Sequence, residues 1–187
     1  MVVLHGLGDS AQGYRFLPAA LAVPSLNYLL VNAPDEYYGG FSWYDYPGEA
    51  GPGVRRSRQL LFELLDAQRV AGFPTEQTFL FGFSQGCLMT LDVGFRYPVR
   101  LAGLVGVSGY VHDLPLLLAE LSPVAKVQRM LFTHGTMDPL IPCAAAKAQV
   151  EALQRGGLHI TWADFPKEHT IAREEIPLFQ QFIGPGN

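Results

Sequence analysis

Cysteine is scarce. Only Cys87 and Cys143 are present, without a C-x-x-C pair, which excludes a disulfide framework and favours a reducing, cytoplasmic setting. Charge is sparse too, at 16% of residues with a net formal charge of -4. No run of Lys or Arg forms a phosphate-binding stripe, so nucleic acid is excluded as a partner. The densest basic stretch, Arg55-Arg56-Ser57-Arg58, reads as a solvated helix face. No segment approaches the roughly 18 consecutive apolar residues of a membrane span. The start, Val2-Val3-Leu4 followed by His5-Gly6, lacks the basic segment and long apolar core of a secretory leader. No metal site is suggested, and no cofactor is expected.

With 187 residues, 49% of them hydrophobic, the chain can bury one core and is too short for two comfortable ones, so a single domain over 1–187 is expected. Short apolar runs recur, each followed by a Gly, Pro or Asp cluster and a stretch of helical periodicity. That alternation predicts an α/β fold with a mostly parallel sheet of about six strands between helices, a three-layer sandwich. Strands are expected near Val2 to His5, Tyr28 to Asn32, Thr78 to Phe83, Ala102 to Val107, Arg129 to Thr133 and His159 to Phe165. Helices are expected at Gln12 to Ala22, Val54 to Gly72, Gln85 to Tyr97, Cys143 to Arg155 and Ala172 to Ile183. In the second of these, Leu60, Leu61, Leu64 and Leu65 form one apolar stripe. The stretch from Ala33 to Gly53, rich in Gly, Pro and Tyr, reads as a working loop.

The sharpest signal is Gly82-Phe83-Ser84-Gln85-Gly86, which follows the apolar run Phe79-Leu80-Phe81 and precedes a helix-like segment. A serine on a tight strand-to-helix turn is held at strained backbone angles, and side chains two residues to either side would collide with the turn. Such a turn exposes the hydroxyl, while the helix N-terminus behind it offers free N–H groups to a developing oxyanion. A serine hydroxyl needs a base, and that base needs an orienting carboxylate. In this setting the partners follow in the order Ser, acid, His. Asp138, just past an expected strand end, is the candidate acid, preferred over Asp113 and over Asp164, which lies on a strand too near the histidine. Among the histidines, His5, His112 and His134 come too early and His159 falls inside a strand, which leaves His169 as base. The glycines of His5-Gly6-Leu7-Gly8-Asp9 let the N–H of Leu7 face a reacting carbonyl, with the N–H of Gln85 as second donor.

With HGLGD at 5–9, SWYD at 42–45, GFSQG at 82–86, HGTMDPLIP at 134–142 and EHTI at 168–171, the sequence resembles the phospholipase/carboxylesterase family of α/β-hydrolases, which includes the acyl-protein thioesterases. The resemblance implies cofactor-free hydrolysis of a small-molecule acyl ester or thioester through an acyl-serine. It also implies Ser84, Asp138 and His169 as triad and Leu7 with Gln85 as oxyanion hole. Two features depart from the family pattern. Glu168 stands where glycine usually precedes the histidine, placing a carboxylate beside the imidazole. Family members also usually carry more strand material ahead of HGLGD. With the sheet shortened at that end, the strand Tyr28 to Asn32 becomes an exposed edge, and a homodimer through it is the expectation. Acyl specificity is expected from Trp43 and from the leucine-rich segment Tyr110 to Leu121, through Leu114 and Leu117, read as either an apolar lid or a core helix.

Overall fold

The computed structural model of the chain describes residues 1–184. Its main sheet comprises β1 (Val2–Leu4), β2 (Leu29–Val31), β5 (Phe79–Phe83), β6 (Gly103–Val107), β7 (Arg129–Gly135) and β8 (His159–Phe165). The strands run parallel in the order β2-β1-β5-β6-β7-β8. All six expected strands are present, and β7 runs to Gly135, beyond the expected Thr133. Among the described residues, β2 and β8 are the two edge strands of this sheet. A separate antiparallel hairpin, β3 (Asp35–Tyr37) with β4 (Gly40–Ser42), occupies part of the stretch expected to be irregular.

Side chains alternate across each strand, so the sheet has two apolar faces and builds a core on each. On one face Leu4, Leu80, Leu104 and Phe132 pack with residues of α2 (Ala50–Val70), α3 (Gln85–Arg96) and α5 (Cys143–Arg155). On the other, Val3, Phe81, Val105 and Leu131 pack with α1 (Leu17–Leu21) and α6 (Ile176–Ile183). The result is the expected three-layer sandwich. Among the described residues, no helix is long and apolar enough to cross a membrane.

The helices differ from expectation where proline and glycine fall. The span Gln12 to Ala22 is not one helix but a 3₁₀ turn, Ala11–Tyr14, followed by α1, with Pro18 inside the first turn of α1. A proline in mid-helix removes a backbone donor and collides with the preceding turn, so the helix restarts around it. Pro177 does the same to Ala172 to Ile183, which divides into a 3₁₀ turn at Arg173–Glu175 and then α6. Helix α2 starts at Ala50 rather than Val54, because Pro52 in its first turn costs no hydrogen bond. Gly53 then passes so close to Tyr44 that a Cβ would sit 2.8 Å from its Cα. Along α2, Leu61 and Leu65 are buried and Leu64 is half-buried, whereas Leu60 faces solvent.

The leucine-rich segment forms a short helix, α4 (Leu114–Ala119), started by Asp113, whose side chain accepts the N–H of Leu116 at 2.9 Å. It packs against α3 and α5, so the core-helix reading holds and the lid reading does not.

Candidate active site

The sharp turn from β5 into α3 puts Ser84 at φ 55° and ψ −115°, a region that L-residues with side chains occupy only under strain. Close packing enforces the turn. A Cβ on Gly82 would lie 2.0 Å from the carbonyl oxygen of Gly86, and one on Gly86 would lie 2.2 Å from that of Leu4. Gly6, in the loop after β1, approaches so near that its Cβ would stand 3.4 Å from that of Ser84.

Loops at the C-terminal ends of β7 and β8 bring the partners in. His169 Nε2 lies 2.9 Å from Ser84 Oγ, and His169 Nδ1 lies 2.7 Å from Asp138 Oδ2. The other carboxylate oxygen, Oδ1, accepts the N–H groups of Leu140 and Ile141, each at 2.9 Å. Burial pushes the Asp138 carboxyl up, but the hydrogen bonds from Ile141, His169 and Leu140 outweigh it and leave the group below its ordinary range. An ionised carboxylate only accepts, so His169 carries its hydrogen on Nδ1 and turns the lone pair of Nε2 toward the serine hydroxyl.

The acid and base loops are joined to each other. Thr136 N–H donates to the Phe165 carbonyl at 2.8 Å and Met137 N–H to that of Lys167 at 3.1 Å. Gly135 makes this possible, since a Cβ there would meet the Lys167 carbonyl oxygen at 2.3 Å. Glu168 is exposed. The rival acids lie elsewhere: Asp164 accepts the indole N–H of Trp162, and Asp113 caps α4.

A cavity of about 570 Å³ opens beside Ser84 and His169. Leu7 and Gln85 both line it, and Gln85 is the first residue of α3, where a backbone N–H has no intrahelical acceptor. The residues expected to bind the acyl group do not reach it. Trp43 is 2% exposed, its indole N–H donating to the His5 carbonyl at 2.9 Å, so it supports the loop of Leu7 from behind. Leu117 is buried in the core and Leu114 packs against that core. The walls are instead Phe83, Leu140 and Ile141 on one side and Tyr44, Tyr46 and Tyr110 on another.

Sequence reasoning also missed the side chain of Gln85. Its Oε1 accepts from Trp43 N–H at 3.0 Å, and its Nε2 donates to the Tyr44 carbonyl at 3.1 Å. One glutamine thereby ties the segment bearing Tyr44 to the serine turn. His134, set aside on order alone, lies beside the acid, with Nε2 3.5 Å from Asp138 Oδ2. Its ring stacks with Phe132 and Trp162, and Nε2 donates to the Ile141 carbonyl at 2.9 Å.

The family model for phospholipase/carboxylesterase matches residues 1–185. The chain belongs to that family. Among relatives of this family member, an acyl-protein thioesterase 1 of Schizosaccharomyces pombe is 32% identical over 97% of this chain and 88% of its own length. A probable carboxylesterase of Oryza sativa subsp. japonica is 27% identical, over 96% of this chain and 74% of its own. Among solved structures, Arabidopsis thaliana SOBER1 superposes with a TM-score of 0.88 at 26% identity, covering 97% of this chain and 95% of that one. The fold is thus that of the α/β-hydrolases.

Proposed function

We propose that the chain hydrolyses carboxylic esters or thioesters of acyl chains through an acyl-serine intermediate, without a cofactor. The observation that carries this reading is the unbroken path from Ser84 Oγ to His169 Nε2 at 2.9 Å and from His169 Nδ1 to Asp138 Oδ2 at 2.7 Å. Family membership and relatives named as thioesterases and carboxylesterases support it.

In this mechanism Ser84 Oγ attacks the carbonyl carbon while its proton passes to His169 Nε2. The carbonyl oxygen becomes an oxyanion facing the N–H groups of Leu7 and Gln85. Collapse breaks the bond to the alcohol or thiol, which leaves with the proton from His169. Water then attacks the acyl-serine, His169 takes its proton, and a second collapse releases the carboxylic acid and restores the Ser84 hydroxyl. Asp138 holds the imidazole in the required tautomer and stabilises it when charged.

The wild type is expected to hydrolyse p-nitrophenyl esters and to be labelled by a fluorophosphonate. Ser84→Ala is expected to lose both, with turnover falling by about 10³-fold or more. Equal turnover in the two proteins would overturn the assignment. The free thiols of Cys87 and Cys143 support a cytoplasmic setting. The place of β2 at one end of the sheet among the described residues supports pairing with a second copy of the chain, against which a monomeric mass in sedimentation at micromolar concentration would count.

A further inference from the structure

The cavity beside Ser84 has two unlike sides. Phe83, Leu140, Ile141 and Pro142 form an apolar one, and Tyr44, Tyr46 and Tyr110 form the other. The same tyrosines line a second cavity of about 570 Å³, so they are the partition between the two. Beyond the partition the lining sets the polar and charged side chains of Asp45, Glu49, Arg55 and His112 beside the small apolar surfaces of Ala50 and Pro52.

The Tyr44 and Tyr110 hydroxyls lie 3.1 Å apart and hydrogen-bond to each other. Each hydroxyl has one hydrogen, and the bond between them uses one of the pair's two. Among the described residues the remaining hydrogen finds no acceptor. Tyr44 is 1% exposed and its carbonyl is held by Gln85 and Ser42, so its ring cannot swing away to solvate the pair. A hydrocarbon arm pressed against this partition would displace water from an O–H and give it nothing in exchange, whereas an ether, hydroxyl or carbonyl oxygen would accept from it.

We infer that Tyr44 and Tyr110 act as a specificity pair, selecting esters in which the arm reaching the partition bears a neutral oxygen acceptor over esters with an all-hydrocarbon arm. The inference rests on the hydrolytic reading of Ser84 and adds to it the substrate class. The apolar lining of Phe83, Leu140, Ile141 and Pro142 takes the other arm.

The test uses esters matched in length in which one methylene is replaced by oxygen. In the acyl arm these are p-nitrophenyl pentanoate and 3-methoxypropanoate; in the alcohol arm, butyl and 2-methoxyethyl acetate. Because the ether oxygen activates the carbonyl, each kcat/KM ratio is divided by the ratio of the two hydroxide-catalysed rates. The wild type is expected to prefer the ether by about tenfold in one of the pairs. In Tyr44→Phe/Tyr110→Phe, which removes both partners and keeps both rings, the ratio is expected to fall to one. A wild-type ratio near one in both pairs overturns the inference, as does a preference that the double variant retains. Should that variant fail to fold, the wild-type ratios still decide. Fluorophosphonate labelling separates the two readings. Labelling and turnover without an ether preference sink the tyrosine pair alone, whereas no labelling and no turnover sink the hydrolytic assignment and the pair with it.

Discussion

Lys167 is two residues from His169 and almost fully buried. Its Nζ lies 2.8 Å from Glu175 Oε1, 2.6 Å from the Thr170 carbonyl oxygen and 3.2 Å from Ser108 Oγ. Glu175 is 0% exposed and its other oxygen accepts the N–H of Ala172 at 2.7 Å, so this ion pair closes the loop that bears the histidine. Removing one partner strands the other charge out of water. Lys167→Met is therefore expected to cost about 3–5 kcal/mol, and Lys167→Met/Glu175→Gln to recover most of it. Denaturant midpoints of the three proteins check this, and a double variant no more stable than the single would contradict it. Two other buried groups, His5 and His134, are held neutral. His5 donates from Nδ1 to the Gly6 carbonyl and accepts the Ala33 N–H on Nε2, while His134 has no partner for Nδ1. Burial lowers the pKa of both. The unfolded chain takes up these protons near pH 6.5 and the folded chain only at lower pH, so stability is complete above that value and falls as pH drops below it. The loss is at most about 1.4 kcal/mol per pH unit for each histidine. The Asp138 carboxyl, depressed when folded, adds stability that is fully present above the unfolded carboxylate value of about 4 and is lost only as pH falls below it. A denaturation midpoint that does not fall between pH 7 and pH 5 would contradict neutral burial.

Among the elements, the serine turn depends most on the absence of side chains. Gly86→Ala puts a methyl 2.2 Å from the Leu4 carbonyl oxygen and 2.7 Å from that of His5, so α3 must retreat from β1 and from the loop of Leu7. We expect a loss of about 1–3 kcal/mol together with a marked fall in ester turnover, read by thermal melts and kinetics on one preparation. A variant with unaltered melting and turnover would show that the contact tolerates a methyl. The elements were legible in proportion to how local their causes are. Continuous apolar runs such as Phe79-Leu80-Phe81 mark central strands, and most main-sheet strands were readable in that way, whereas β8 interleaves polar residues with apolar ones. Helix ends were harder, because Pro18, Pro52 and Pro177 each sit in a first turn, where proline begins a helix rather than ending it. The β3–β4 hairpin has only three residues per strand, and its pairing is visible only once Asp35 faces Ser42.

At the scale of the whole molecule, both cores share one sheet, and neither face can be lost without exposing the other's strands. The chain is accordingly expected to unfold as one domain, in a single calorimetric transition whose van't Hoff and calorimetric enthalpies agree. Two resolved transitions would refute that. The spacing and order of Ser84, Asp138 and His169 were readable because the chemistry constrains residue type and chain order together. The cavity walls were not. Tyr110 meets Tyr44 and Tyr46 only through the fold, and the Gln85 side chain that fixes Tyr44 looks in sequence like any polar helix residue.

The backbone at Ser84 has an implication for descent. A side chain at φ 55° and ψ −115° costs of order 1–3 kcal/mol, which glycine would largely relieve. A lineage released from using the hydroxyl would relieve this strain by drifting to glycine at position 84, at the cost of the hydrogen bond to His169. Serine kept at this position across a lineage would therefore mark selection acting against the fold's own preference, and a copy freed of that selection is expected to drift there.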